Sequence, residues 1–389
     1  MDFPIDIHAD DCGECRICPA ACPYEAIEID TERNVAVLDQ EKCMICGICA
    51  PACPIDAIDT YYYDPNALKG YLESKMTDGA DTLVIYCRGS APSDEELVEM
   101  VGVEEFIPMA IPCIGRMPLD TYMDAVNMGI ERIFVIACEE NFCRFTEGAE
   151  TNTTKMLTAQ MMLEDIGYPE DTVTLLRNTL VAEVDRDACI GCGNCFALCP
   201  FDAVTMESPG ISNIDPEKCR GCGICVPYCT GMAIELKKSE YEPLSKKVEA
   251  EVERTEPKLV VFGCQWSEFR LLDNIYEEHL PEDIGFIELP CSGRIDPLHV
   301  LEAFKNGAEG VLIVACPEDL CRLEEGSKHA HRRAESLKAL LEEAGIDPER
   351  LQLTEATPRI IGSFANALEH FKQNMKELGT AKKVEEGTG

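Results

Sequence analysis

The sequence predicts small α+β modules alternating with α/β domains of open parallel sheet, the pair occurring twice along 389 residues. Three observations carry this. Cysteines come in runs of one fixed spacing, with short alternating segments between them that suit a hairpin. Elsewhere, short apolar runs that each end in a cysteine alternate with helical periodicity, the pattern of a parallel sheet covered on both faces. Finally, the cysteines recur at a nearly constant offset: Cys12 with Cys189, Cys43 with Cys219, Cys53 with Cys229, Cys87 with Cys264, Cys113 with Cys291, Cys138 with Cys316 and Cys143 with Cys321. The 24 cysteines are therefore one set of positions duplicated. Four domains are expected, 1–60 and 180–240 for the small modules and 80–178 and 257–378 for the α/β domains.

In the first module, CGECRICPAACP and CMICGICAPACP both carry C-x2-C-x2-C-x3-C-P, the run that holds paired 4Fe-4S cubanes in bacterial ferredoxins. The fourth cysteine of each run crosses to the other cluster in that arrangement. Cys12, Cys15 and Cys18 would be completed by Cys53, and Cys43, Cys46 and Cys49 by Cys22. The second module repeats this, with Cys189, Cys192 and Cys195 completed by Cys229, and Cys219, Cys222 and Cys225 by Cys199. Both are thus α+β ferredoxin-like dicluster modules, with AIEID (Ala26 to Asp30) and VAVLD (Val35 to Asp39) forming the hairpin of the first. Zinc knuckles are the alternative, but three cysteines in series followed by Cys-Pro are foreign to them. Thr230 follows Cys229 where the other three runs have proline, which weakens the turn and leaves all four sulfurs.

From Asp59 to Asp81 the chain is polar and tyrosine-rich, which suggests a linker. Tyr61, Tyr62 and Tyr63 either face a cluster or partner or pack the linker down. TLVIYC, FIPMAIPC and RIFVIAC then place Cys87, Cys113 and Cys138 at the ends of successive strands. Between the last two, Leu119, Met123 and Val126 recur at helical spacing and Gly129 offers a stop. The implied sheet is open, parallel and flavodoxin-like, and such sheets bind ligands beyond the carboxyl ends of their strands. Cys143, in the loop CEENFC, brings a fourth thiol to that edge. Met156, Met161, Met162 and Leu163 on the following helix suggest core.

The second copy gathers Cys264, Cys291, Cys316 and Cys321 in the same way. It ends in an amphipathic helix from about Pro358 to Leu378, and the last residues, GTAKKVEEGTG, suggest a disordered tail. Both copies contain P-C-x-G-R, with Arg116 and Arg294, and C-R-x-x-E-G, with Arg144 and Arg322. These arginines either raise the potential of a thiolate cluster or pair with surface carboxylates. Four cysteines at strand ends suit a 2Fe-2S cluster, a 4Fe-4S cubane, zinc or free redox-active thiols. Their spacing matches neither a zinc ribbon or finger nor the plant-type ferredoxin run.

With 72 acidic residues against 34 basic, the net charge of −38 repels nucleic acid and anionic membrane surfaces. It favours protein partners with basic docking faces, and equally suits a salty cytoplasm. MDFPIDIHAD has no apolar signal-peptide core, and no apolar run of about 18 residues spans a bilayer. A cytoplasmic chain with reduced or metal-bound cysteines is expected.

Residues 259–373 resemble the delta iron-sulfur subunit of methyl-viologen-reducing hydrogenases through PCSGRIDPLHVLEAFKNGAEGVLIVAC, CRLEEG and LLEEAGIDPERLQL. The first copy resembles it more weakly through PCIGRMPLDTYMDAVNMG and CRFTEG. This resemblance implies one 2Fe-2S cluster on Cys87, Cys113, Cys138 and Cys143 and another on Cys264, Cys291, Cys316 and Cys321, beside four 4Fe-4S clusters on the ferredoxin-type cysteines. The family often has further cysteines around the first strand, where this chain has Gly263 and Ser267. By the same resemblance, the chain is an electron-transfer subunit of a hetero-oligomer in an anaerobe. It would link a hydrogenase or formate dehydrogenase subunit to a heterodisulfide-reductase-like flavoprotein subunit. A free polyferredoxin-like carrier and a redox-sensing or structural cluster scaffold are the alternatives. Six clusters would consume every cysteine, no GxGxxG opens a helix after a strand, and no CxxCH marks haem, so bond-making chemistry is not expected of this chain.

Overall fold

The computed structural model describes residues 3–76, 80–90, 92–208, 210–268 and 281–379. These form two compact units, the first built chiefly from Met1–Thr179 and the second from Leu180–Asp273, Glu278–Pro358 and Gly362–Gly389.

In the first unit, β1 (Ile5–Ile7) pairs antiparallel with β4 (Ile58–Thr60), and β2 (Ile27–Asp30) with β3 (Val35–Leu38). Two-stranded ribbons are too small to be stable alone. Here Phe3, Ile5, Ile27, Ala36 and Ile58 close over cysteine side chains, so the sulfur sites and the small apolar core are one body. A short helix, α1 (Ile17–Ala21), carries Cys18 inward.

The α/β part follows. Strands β5 (Thr82–Cys87), β6 (Ile107–Ile111), β7 (Arg132–Ala137) and β8 (Val173–Arg177) lie parallel in the order β6-β5-β7-β8. That is the flavodoxin-like order, with its switch point between β5 and β7. Leu83, Val84, Ile85, Ile133 and Val135 are fully buried, as strands covered on both faces require. Helices α3 (Asp94–Val101), α4 (Leu119–Asn127) and α5 (Gly148–Asp165) connect them, and a reciprocal bond between Ser93 and Glu96 starts α3.

Two expectations need correction, that of the linker and that of the α5 methionines. The stretch from Asp59 to Asp81 contains a helix, α2 (Pro65–Lys75). Asp64 accepts from Asn66 N and Ala67 N, Pro65 preorganises the first turn, and Leu68, Tyr71 and Leu72 form a buried stripe. Tyr62 and Tyr63 are buried, so they pack inward, while Tyr61 is exposed. The helix expected around Leu119, Met123 and Val126 forms as α4, with Thr121, Tyr122, Ala125 and Val126 as its buried face. Of the methionines on α5 only Met156 is core; Met161 is 67% exposed and Met162 45%.

In the second unit, β9 (Ala182–Val184) pairs with β12 (Ile234–Leu236), and β10 (Val204–Glu207) with β11 (Ile211–Ile214), both antiparallel, around the short helix α6 (Asn194–Leu198). A parallel sheet has the order β14-β13-β15-β16, from β13 (Leu259–Cys264), β14 (Ile284–Leu289), β15 (Gly310–Ala315) and β16 (Leu351–Glu355). Helices α7 (Tyr241–Arg254), α8 (Pro297–Lys305) and α9 (Gly326–Glu343) bury one face around Val260, Phe262, Ile287, Val311 and Ile313.

The other face takes α10 (Ser363–Leu378), whose Phe364, Leu368, Phe371 and Met375 meet Leu259, Val261, Leu312 and Val314. This helix starts later than Pro358 because buried Glu268 caps it, accepting from Phe364 N at 2.6 Å and also from Gly362 N and the Ser363 hydroxyl. Gly310 admits it: a Cβ there would lie 2.4 Å from Met375 Sδ and 3.0 Å from Phe371 Cζ. The expected disordered tail lies, beyond Gly379, outside the described residues. Since Phe371 is fully buried, Phe371→Ala should cost about 3–5 kcal/mol. Scanning calorimetry should show a lower unfolding midpoint for the second unit, with iron content unchanged.

Candidate metal centres

Cys12, Cys15, Cys18 and Cys53 line one cavity, with Ala36 and Ile55 beside them. Cys199, Cys219, Cys222 and Cys225 line another. In both, three closely spaced cysteines meet the closing cysteine of the other run. Cys22 lies near Cys43, whose pKa burial pushes up to about 11, with the charges of Cys46 and Cys22 adding to the effect. Burial likewise pushes Cys18 up to about 11, with Cys12, Cys53 and Cys15 adding. Metal binding must displace these protons, which makes loading pH-dependent. Each closing sulfur accepts a backbone N–H from four residues on: Ala26 to Cys22 at 3.4 Å, Ala57 to Cys53 at 3.3 Å, Ala203 to Cys199 at 3.4 Å and Ala233 to Cys229 at 3.2 Å. Each module has an outer group, with Cys15 or Cys192 exposed, and an inner group in which Cys43, Cys46 and Cys49, or Cys219 and Cys222, are buried.

The strand-end thiols converge at the sheet's switch point. Cys87 ends β5, Cys113 lies two residues past the end of β6, and Cys138 directly follows β7. Cys143 sits beside the start of α5. Hydrogen bonds from the Cys113 thiol, then the Cys138 thiol, hold Cys143 well below the usual thiol range, and the N–H groups of Phe145 and Ala149 add to this. In the second unit Cys291 brings Cys321 down to about 7, helped by the N–H groups of Ser327 and Leu323. Cys264 and Cys316 sulfurs lie 3.7 Å apart. Neither α5 nor α9 has a side-chain cap, so first-turn N–H groups with no helical partner are directed at sulfur.

A glycine makes this approach possible. A Cβ on Gly148 would lie 2.2 Å from Cys113 Sγ and 3.4 Å from Cys143 Sγ; on Gly326 it would lie 2.0 Å from Cys291 Sγ and 3.5 Å from Cys321 Sγ. Sequence reasoning took C-R-x-x-E-G for its arginine and missed the glycine that ends it. Its recurrence at the same place in both copies was the available signal. All-sulfur donors, buried and bonded to backbone N–H groups, fit soft-metal iron-sulfur chemistry. Among the described residues no three His, Cys, Asp or Glu side chains close around a single-ion site.

Arg116 and Arg294 are buried, 4% and 0% exposed, which corrects the surface alternative. Arg116 donates to Tyr62 O and lies against Gly47, within the Cys46–Cys49 loop. Arg294 Nε and Nη2 donate to Ser239 O at 3.2 and 2.6 Å, and a Cβ on Gly223 would lie 2.8 Å from its Cδ. Each arginine, set in the turn after a strand-end cysteine, thus reaches the inner ferredoxin-type loop of its own unit. Burial lowers the Arg294 pKa to about 10, which leaves it charged at neutral pH. Arg144 and Arg322 are half-buried. A Cβ on Gly89 would lie 3.5 Å from Cys138 Sγ and 3.7 Å from Arg144 Cγ, and the Arg322 charge acts on Cys316.

Two further basic residues escaped sequence reasoning. Lys155 Nζ donates to Gly115 O at 2.9 Å and Met117 O at 3.2 Å; Arg333 donates to Gly293 O, to Ile295 O at 2.9 Å and to Ile224 O at 3.2 Å. They pin the turns that follow Cys113 and Cys291. Their signal was a basic residue two helical turns after each glycine.

Gly148→Ala and Gly326→Ala should each abolish the strand-end centre of their own domain, read as iron lost from that site with the ferredoxin-type signals retained. Changing Cys53 to serine should damage the centre of Cys12, Cys15 and Cys18 and spare that of Cys43, Cys46 and Cys49. Spectroscopy of the reduced variants checks both expectations.

Residues 84–183 and 259–379 match the family described as methyl-viologen-reducing hydrogenase, delta subunit. Residues 11–57 and 182–236 match 4Fe-4S dicluster domains. A ferredoxin:CoB-CoM heterodisulfide reductase subunit from Methanosarcina mazei is 31% identical over 322 residues, covering 79% of this chain and 38% of that protein. The ferredoxin/F420H2-dependent counterpart from Methanosarcina acetivorans is 34% identical over 321 residues, with the same coverage of 79% and 38%. The chain thus spans only 38% of the length of these two relatives. An F420-non-reducing hydrogenase iron-sulfur subunit from Archaeoglobus profundus is 33% identical over 132 residues, covering 33% of this chain and 96% of that protein. With more than half of its residues matched in two stretches, and with sulfur sites gathered at the strand ends of both, this chain belongs to the methyl-viologen-reducing hydrogenase delta-subunit family.

Proposed function

We propose that this chain is an electron-transfer subunit made of two copies of one unit, each a dicluster ferredoxin module followed by a delta-subunit-like domain. It holds four 4Fe-4S and two 2Fe-2S clusters. In the cytoplasm of an anaerobe it relays electrons between a hydrogenase or formate dehydrogenase module and a heterodisulfide-reductase-like flavoprotein. The observation that carries this reading is the series of sulfur sites inside each unit. An outer site with an exposed cysteine is followed by a buried inner site, and Arg116 or Arg294 joins the inner site to the strand ends.

When bound, the clusters supply reversible one-electron storage. The chain's own residues do the remainder. Thiolates hold the irons, backbone N–H groups of Ala149 and Ser327 stabilise the negative sulfurs, and buried arginines keep positive charge between neighbouring sites. The relatives' names point to heterodisulfide reductase on one side and hydrogenase on the other. The charge of −38 directs docking to basic faces on the partners.

Anaerobically purified chain should contain about 20 irons and about 20 acid-labile sulfides, the sum for four cubanes and two rhombs. It should co-purify with, and pass electrons to, the flavoprotein. About 16 irons with zinc above about one per chain would remove the 2Fe-2S assignment. A chain that neither co-purifies with the flavoprotein nor reduces it would remove the relay.

A further inference from the structure

The four ferredoxin-type sites share one plan, including the backbone N–H bond to each closing cysteine. A departure at one site therefore marks a difference in its tuning. The outer site of the second unit, formed by Cys189, Cys192, Cys195 and Cys229, carries two side-chain hydroxyls. Ser212 is buried on β11, and its Oγ lies 3.1 Å from Cys195 Sγ. Its backbone N–H and hydroxyl also reach Cys189. While Cys195 is a thiol it donates to this hydroxyl, which in turn donates to Met206 Sδ at 3.4 Å; a Cys195 thiolate can only accept and is a stronger acceptor than a thioether, so on cluster binding the hydroxyl proton turns from Met206 to sulfur. Thr230, directly after Cys229, donates its hydroxyl to Cys192.

The outer site of the first unit lacks both. Ala36 takes the place of Ser212 in the matching strand and lines the cavity of Cys12, Cys15, Cys18 and Cys53. Pro54 takes the place of Thr230 and has neither a hydroxyl nor an N–H. Ligation and the shared backbone bond are the same, and the hydroxyl donors differ.

A hydroxyl donated to a cluster thiolate withdraws negative charge from sulfur and favours the reduced, more negative form, which raises the reduction potential. We propose that Ser212 and Thr230 make the cubane of Cys189, Cys192, Cys195 and Cys229 the more oxidising of the two outer clusters, and so the outlet toward the higher-potential partner. Cys192 is exposed and neighbouring Ile190 is 67% exposed, so a partner can approach this site directly. Each transfer is a one-electron exchange: the outlet cluster gains the electron that its donor loses, then passes it to the partner, with no bond made or broken. This inference rests on the relay reading above.

The test is a potentiometric titration of the full, cluster-loaded chain followed by electron paramagnetic resonance. Signals of the two outer clusters are identified by their loss in Cys15→Ala and Cys192→Ala. The Cys192-dependent signal should have the more positive midpoint. The double variant Ser212→Ala, Thr230→Pro installs the first unit's residues at these two positions and should move that midpoint negative, toward that of its twin. Ala36→Ser should move the first unit's outer midpoint positive. Equal midpoints in the unaltered chain, or a double variant whose midpoint stays put, would overturn this inference alone. Absence of any cubane signal dependent on Cys192 would overturn the relay reading and the inference together.

Discussion

Burying four sulfurs that must carry negative charge in one place is the constraint on which the rest of this structure depends. Burial alone pushes such thiols up, as it does at Cys18 and Cys43. The chain answers with fixed dipoles. A backbone N–H meets each closing cysteine of the ferredoxin-type runs, and the open first turns of α5 and α9 meet Cys143 and Cys321. Side chains near the sulfurs are small where contact is closest, which is why Gly148 and Gly326 stand where they do.

The same constraint explains how modules are joined within a unit. A bare guanidinium is costly to bury. Arg294 is nevertheless fully buried against the Gly223 loop, where Ser239 O accepts two of its N–H groups. The negative charges of Asp296, Cys225 and Glu240 favour the charged form. Arg333 strengthens the joint by bonding Ile224 O and stacking 4.3 Å over the Tyr228 ring, while its counterpart Lys155 bonds only to carbonyls of its own domain among the contacts described.

Much of this was legible in the sequence because cluster ligands come at fixed spacings and buried parallel strands are near-continuous apolar runs. TLVIYC and LVVFGC became β5 and β13, and Ala26–Asp39 holds the hairpin of β2 and β3. The helix α2 was hidden because only Leu68, Tyr71 and Leu72 face inward among polar neighbours, and its Asp64-Pro65 start went unread. Met161 and Met162 misled because α5 is apolar on more than one face, so periodicity could not show which side is buried. The role of Arg116 and Arg294 depends on which module a side chain reaches, which spacing within one motif does not encode. Ser212 and Thr230 stood in the sequence as an ordinary strand residue and a missing proline; only their hydrogen bonds at sulfur give them a role.

The central claim is that each unit holds a series of three one-electron centres. An anaerobic coulometric titration of the isolated, cluster-loaded chain counts them directly. The account predicts uptake of about six electrons per chain, one for each cluster and all returned on reoxidation. Uptake of about four, with the strand-end cysteines still metal-bound, would contradict it, because the strand-end centres would then be structural and the series would stop at the inner ferredoxin-type site.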